Sequence, residues 1–142
     1  MKKCIPSKSI YKNREGDICP RLCYNGIPII YSILTTTKCP KIGNYLFVIR
    51  QNEPNNIYYY TADLNIVMET TNCSTGNKKV VHHNCLANNE NVICAGELQF
   101  IGSRNVILLN ASGHFYPDYE CLDYISCLLN DMKYKVLDLQ EY

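Results

Sequence analysis

Two spacings of hydrophobic and polar residues divide the chain. Between residues 27 and 110, runs rich in β-branched and aromatic side chains are cut by Pro, Gly, Asn and Asp, whereas residues 117–132 repeat apolar positions at helical spacing. The runs at 27–36, 45–50, 57–61, 65–70, 79–86, 92–101 and 106–110 predict seven strands. Residues 62–65 and 102–105 have hairpin length, 52–56 form a polar turn with Pro54 barred from a central strand, and 70–79 read as an exposed loop. Pro117 suits a first helical position and Asp118 and Glu120 the first turn. Leu122, Ile125, Leu129 and Met132 then form one stripe, which predicts a helix. Residues 134–139 return as an extended edge segment. The expected fold is α+β: a mainly antiparallel, strongly curved sheet or open barrel of about seven strands with one C-terminal helix on a face or at an end. Residues 1–26 show no sustained period and read as an irregular lead-in, leaving 27–142 as a single domain.

Composition narrows the function classes. The 142 residues are 46% hydrophobic and 19% charged, as in a globular protein with one core. Fourteen basic and thirteen acidic side chains leave a net charge of +1, so no field draws in nucleic acid or an anionic membrane. The basic start Met1-Lys2-Lys3 has no apolar stretch behind it, and no run of about 18 apolar residues occurs. A cytoplasmic protein is expected, without membrane or nucleic-acid partners. Abundant Asn, Ile, Lys and Tyr are what AT-rich codons specify, which suggests a large DNA virus or a parasite and extends the location to host cytoplasm or virion.

Nine cysteines is an odd count without repeating spacing, which predicts mostly reduced thiols, with Cys94 and Cys121 as small core hydrophobes. Cys19 and Cys23 with Cys39 could bring three thiolates to one zinc ion. The spacing is looser than Cys-x-x-Cys and lacks a fourth ligand, so no metal site is assigned. The sequons at Asn72 and Asn110 read as chance matches in a chain without an export signal.

Candidate chemistry gathers in residues 82–117, which hold all three histidines: His82-His83-Asn84-Cys85, Cys94-Ala95-Gly96-Glu97, and Ser112-Gly113-His114-Phe115-Tyr116-Pro117. His83, Glu97 and His114 on neighbouring strands and a strand-to-helix turn are expected to converge. Such a set can bind a metal, act as general acid and base, or form a hydrogen-bonded polar cluster. Gly113 is expected to supply an unusual backbone conformation that aims His114 at the site. The helix that follows would offer N–H groups to an anion; a plain helix-entry turn capped by Ser112 is the alternative. The expected catalytic residues are His83, Glu97 and His114, and the expected ligand contacts are Ser112, Gly113 and Tyr116. The ligand would be small and polar or anionic; no cofactor is specified. A non-catalytic interaction module with a protein partner, or a virion component, is the alternative.

These motifs resemble a domain shared by plant IQ-motif-containing calmodulin-binding proteins and bacterial, fungal and giant-virus proteins. There, a segment like His-Ser-Ser-Phe-Leu-Ala-Gly precedes Ala-Gly-Glu and then Ser-Gly-His-Tyr-x-Pro. His83, Ala95-Gly96-Glu97, Ser112-Gly113-His114 and Pro117 match, across about residues 45–132. Asn84 and Cys85 stand in place of the serines, Leu86 of Phe, Asn89 of glycine and Phe115 of Tyr. The resemblance implies a fold and the place of a site rather than a reaction. The IQ segment itself is absent, so calmodulin binding is not carried over.

Overall fold

A computed structural model describes residues 4–6, 8–14, 16, 18–24, 26–62, 67–69 and 77–142. The expected turn at 63–65, most of the loop at 70–79 and the Asn72 sequon lie outside them. The main sheet contains β3 (Ser32–Ile33), β4 (Gly43–Arg50), β5 (Tyr58–Thr61), β8 (Val92–Gly102), β9 (Asn105–Leu109) and β10 (Lys135–Gln140). Its order is β10-β9-β8-β4-β5-β3. All neighbours are antiparallel except β10, which runs parallel to β9. The sheet ends in β10 on one side and β3 on the other, so it is open and does not close into a barrel. A smaller sheet orders β2 (Ile27–Pro28), β1 (Leu22–Tyr24), β6 (Val67–Glu69) and β7 (Asn77–Lys79). The expected α+β class, mostly sheet, matches this architecture.

Both faces of the main sheet are covered, which explains why Val92-Ile93-Cys94-Ala95-Gly96 lacks the alternation of a half-exposed strand. Phe47, Ile49, Leu98, Phe100 and Leu108 pack on one face beneath α2 (Cys121–Asp131), which contributes Leu122, Ile125 and Leu129, all at 0% exposure. Burying each of these three is worth about 2 kcal/mol. Val48, Tyr58 and Ala95 face the other way, beneath Leu22, Leu86 and Phe115. The helix begins four residues later than the pattern predicts. Pro117 is buried with its carbonyl accepting from Asn110 Nδ2 (3.0 Å), and the Asp118 N–H is taken by Tyr11 Oη (3.1 Å), so these residues are held in a turn.

The strand expected at 79–86 is corrected. β7 ends at Lys79, residues 80–82 belong to no element, and a single helical turn, α1 (His83–Leu86), follows. Residues 83–86 contain no β-branched side chain, and one turn buries His83, Asn84, Cys85 and Leu86 together. Asn88 (φ 53°) and Asn89 (φ 59°) then turn the chain through the left-handed region into β8. Asn tolerates that conformation better than other side-chain-bearing residues, which accounts for Asn89 where the resembling pattern has glycine. The Leu86 carbonyl is clamped by Arg50 through Nε (2.9 Å) and Nη2 (2.7 Å).

The expectation of reduced cysteines is also corrected. Cys4–Cys127, Cys19–Cys85 and Cys94–Cys121 are disulfides with Cα separations of 5.7, 5.1 and 5.4 Å. Cys23 is disulfide-bonded as well, and Cys39 is free among the described residues. The pairs join residues 123, 66 and 27 positions apart, so local spacing carried no sign of them. Two of them tie the lead-in to α2 and α1. It also bridges to the main sheet at Tyr11 and Val92. Among the described residues no helix is long and apolar enough to cross a membrane.

Candidate functional site

Three segments distant in sequence meet around a cavity of about 380 Å³ lined by Arg14, Ile18, His82, His83, Asn84, Gly113 and His114. The lead-in supplies Arg14 and Ile18, the start of α1 supplies His82 to Asn84, and the loop after β9 supplies Gly113 and His114. All three histidines therefore face one space. No acidic residue is among its described walls.

His83 is the best-defined member. Its Nε2 donates to the Gly96 carbonyl at 2.8 Å. A carbonyl only accepts, so Nε2 carries the proton and Nδ1 of the neutral ring keeps a lone pair. Burial pushes the pKa from 6.5 down to about 4; the Gly96 bond opposes the shift, and nearby His114 and His82 add to it. The ring is thus an uncharged base at neutral pH. The Gly96 backbone that orients it exists only as glycine: a Cβ there would lie 1.9 Å from the Leu109 carbonyl oxygen and 3.0 Å from Phe47 Cε1.

His114 is oriented from the lead-in. Its Nε2 donates to Asn13 Oδ1, and its ring packs edge-on against buried Phe115, 4.6 Å between centroids. Asn13 is itself fixed, its backbone N–H donating to Asn91 Oδ1 (3.1 Å) and its Nδ2 to the Asn89 carbonyl (3.2 Å). Asn89 in turn holds both the N–H and the C=O of Cys19, beside the Cys19–Cys85 bond. Arg14 donates from Nη2 to the Gly113 carbonyl (3.3 Å), with its guanidinium 5.5 Å from the centre of the Tyr116 ring.

Glu97 does not join the histidines. Its side chain shares a face of β8 with Ala95, in a cross-strand row with Leu46 and Tyr60, and lines a separate cavity of about 120 Å³ with Val80 and Val81. Burial raises its carboxyl above the usual range. Ser112 is buried and its Oγ accepts from the Phe115 N–H (3.2 Å), so it shapes the loop. Gly113 is outside the left-handed region, contrary to the expectation; Tyr116, at φ 47°, carries that conformation instead. The α2 N-terminus offers no anion site either: the N–H groups of Cys121, Leu122 and Asp123 already bond to the carbonyls of residues 118–120.

Metal ligation by two histidines and a carboxylate fails with Glu97 elsewhere. Cys19 and Cys23 are spent in disulfides, which removes the zinc arrangement. Among the described residues the one close grouping of ligand types is Cys4, Cys127 and Asp131, in which the two sulfurs are bonded to each other. Arg14, Asn13 and His82 are the site residues that sequence reasoning missed; Arg14 lay in a stretch without periodicity, and its only local mark is the turn at Gly16 (φ 82°). No family model, curated protein or solved structure matches the chain.

Proposed function

We propose that the cavity binds a small anionic ligand, with Arg14 and His114 as its charged and polar anchors and His83 as a neutral hydrogen-bond acceptor beside it. The observation that carries this reading is the meeting of Arg14 with all three histidines in the wall of one cavity. Arg presents five N–H donors in a fork that matches carboxylate and phosphate oxygens. His83, held by its Nε2–H, keeps Nδ1 as a neutral hydrogen-bond acceptor, and with its pKa pushed down to about 4 it adds no charge to the site at neutral pH. The two histidine-bearing parts of the resembling motif line the same space and its glycine orients one of them. That supports reading the motif as a site signature, in which Gly96 rather than Glu97 serves the site. The disulfides favour folding in an oxidising compartment over a reducing cytoplasm.

The alternative, a non-catalytic interaction module, is favoured by exposed Ile30 in the wall of a second cavity of about 530 Å³, between residues 19–22, 28–31 and the segment that follows α1.

Isothermal titration with inorganic phosphate tests the anion site. Wild-type protein should bind, and Arg14→Ala should weaken binding about 10- to 100-fold, the worth of a charged hydrogen bond. His114→Gln should weaken it less and Glu97→Gln not at all. Equal binding by wild type and Arg14→Ala, or no binding of phosphate, sulfate or a small carboxylate by wild type, refutes the reading.

A further inference from the structure

Tyr116 has features that a loop residue without a function does not need. Phe115 and Pro117 on either side are buried, and the Tyr116 N–H is fixed to the Ser112 carbonyl at 2.9 Å. The backbone between these anchors is in the left-handed region (φ 47°), where Gly or Asn would sit without penalty. A tyrosine occupies the position instead, and its side chain is 68% exposed, so it contributes little to the core. Its ring meets the guanidinium of Arg14, the cation of the histidine cavity. On its other side is a hollow of about 200 Å³ that includes Asp118 and Glu141.

This placement sets a polarity. The Arg14 side attracts negative charge and the Asp118 and Glu141 side repels it, with an open aromatic face between them. A ligand whose anionic end enters the histidine cavity extends over Tyr116 with whatever follows its charged group. Strain in a left-handed non-glycine residue is tolerated where its side chain is needed in a fixed direction. An exposed, backbone-locked phenol ring beside an arginine is a stacking platform for a flat ring. The cavity volume of about 380 Å³ lies in the range of small-molecule sites. Resting on the anion-site reading above, we infer that the ligand joins an anion to a planar aromatic ring, as a nucleoside monophosphate does, and that Tyr116 selects for the ring.

The test compares adenosine 5′-monophosphate, ribose 5-phosphate and inorganic phosphate by isothermal titration. Wild-type protein should bind the nucleotide about tenfold more tightly than ribose 5-phosphate, in keeping with one stacked base. Tyr116→Asn should erase that preference, bringing the nucleotide and ribose 5-phosphate to equal affinity, and keep or raise the melting temperature, because Asn accepts the left-handed backbone. Tyr116→Phe should keep the preference. A merely structural Tyr116 would show none of this selectivity. Equal binding of the two sugar phosphates by wild type, or an undiminished preference in Tyr116→Asn, overturns the inference while the anion site stands. If none of the three ligands binds, the anion site fails and this inference with it.

Discussion

Replacing Gly96 with alanine gives the sharpest test of how the sheet builds the site. The added Cβ would lie 1.9 Å from the Leu109 oxygen and 2.9 Å from its carbonyl carbon, both backbone atoms, with Phe47 Cε1 at 3.0 Å on the core side. Neither neighbour is a flexible side-chain end. To reach ordinary contact, the end of β9 must move by more than an ångström. That motion pulls on the pairs Glu97↔Leu109 and Leu98↔Leu108, the second of which is in the core. Overpacking a close-packed interior costs about 1–3 kcal/mol, and the loss of ladder geometry places this case at about 3 kcal/mol. For a chain of this size that corresponds to a fall in melting temperature of roughly 6–12 °C. Thermal unfolding followed by circular dichroism, with disulfides intact, measures it. Gly113→Ala is the control, since a Cβ there meets nothing within 4 Å and the backbone is outside the left-handed region; it should stay within about 0.5 kcal/mol of wild type. If Gly96→Ala melts with wild type, the close approach of β9 to β8 is wrong, and with it the account of how His83 is oriented.

Three further outcomes rest on the same structure. The His83 pKa of about 4 lies below its ordinary 6.5, so between those values the unfolded chain takes up a proton that the native ring refuses. Its contribution to stability is complete above pH 6.5 and falls by about 3 kcal/mol on acidification to pH 4. His83→Gln keeps an N–H for the Gly96 carbonyl without titrating, and urea unfolding across that window should lose correspondingly less; parallel losses in the two proteins would contradict the buried neutral ring. Alkylation of the denatured, unreduced protein should label Cys39 but label Cys94 and Cys121 only after reduction. Removing the Cys4–Cys127 bond, which spans 123 positions, should cost about 5 kcal/mol in the chain-entropy account; labelling of Cys94 without reductant would restore the free-thiol reading.

Where composition and burial agree, the sequence was a good guide. Strands β4, β5, β8 and β9 occur close to where β-branched and aromatic residues predicted them, and β10 returns as the expected edge. The run at 27–36 was read as one strand but yields only Ile27–Pro28 and Ser32–Ile33. Its β-branched residues are not buried there, Ile30 being 87% exposed, and Pro28 suits only an edge. The span 79–86 opens with Val80 and Val81, which suit a strand, whereas His83 to Leu86 include no β-branched residue and turn helical where all four are buried together. The convergence of His83 and His114 was legible, as each belongs to a compact motif. The separation of Glu97 was not legible from parity: residues 95 and 97 share a face of β8, the one on which Ala95 packs with Leu86 of α1, and Glu97 lines a different cavity there.

Arg14 and Asn13 were the hardest to see, for a physical reason rather than a compositional one. A segment with no period of its own acquires structure from what holds it, and here the holders are remote: Cys85 through a disulfide, Asn89 and Asn91 through side-chain bonds, and Val92 through a single bridge. Each tie is short-range in space and 66 or more positions long in sequence. The Cys19–Cys85 bond stands close to both walls of the cavity, five residues from Arg14 and two from His83. Loss of that bond would leave the wall that carries Arg14 to the hydrogen bonds of Asn13 and the Tyr11–Val92 bridge, while α1 stays clamped through the Arg50 contacts to Leu86. The lead-in, and with it His114, which Asn13 orients, is therefore the part of the site most dependent on oxidation, and His83 the part least dependent on it.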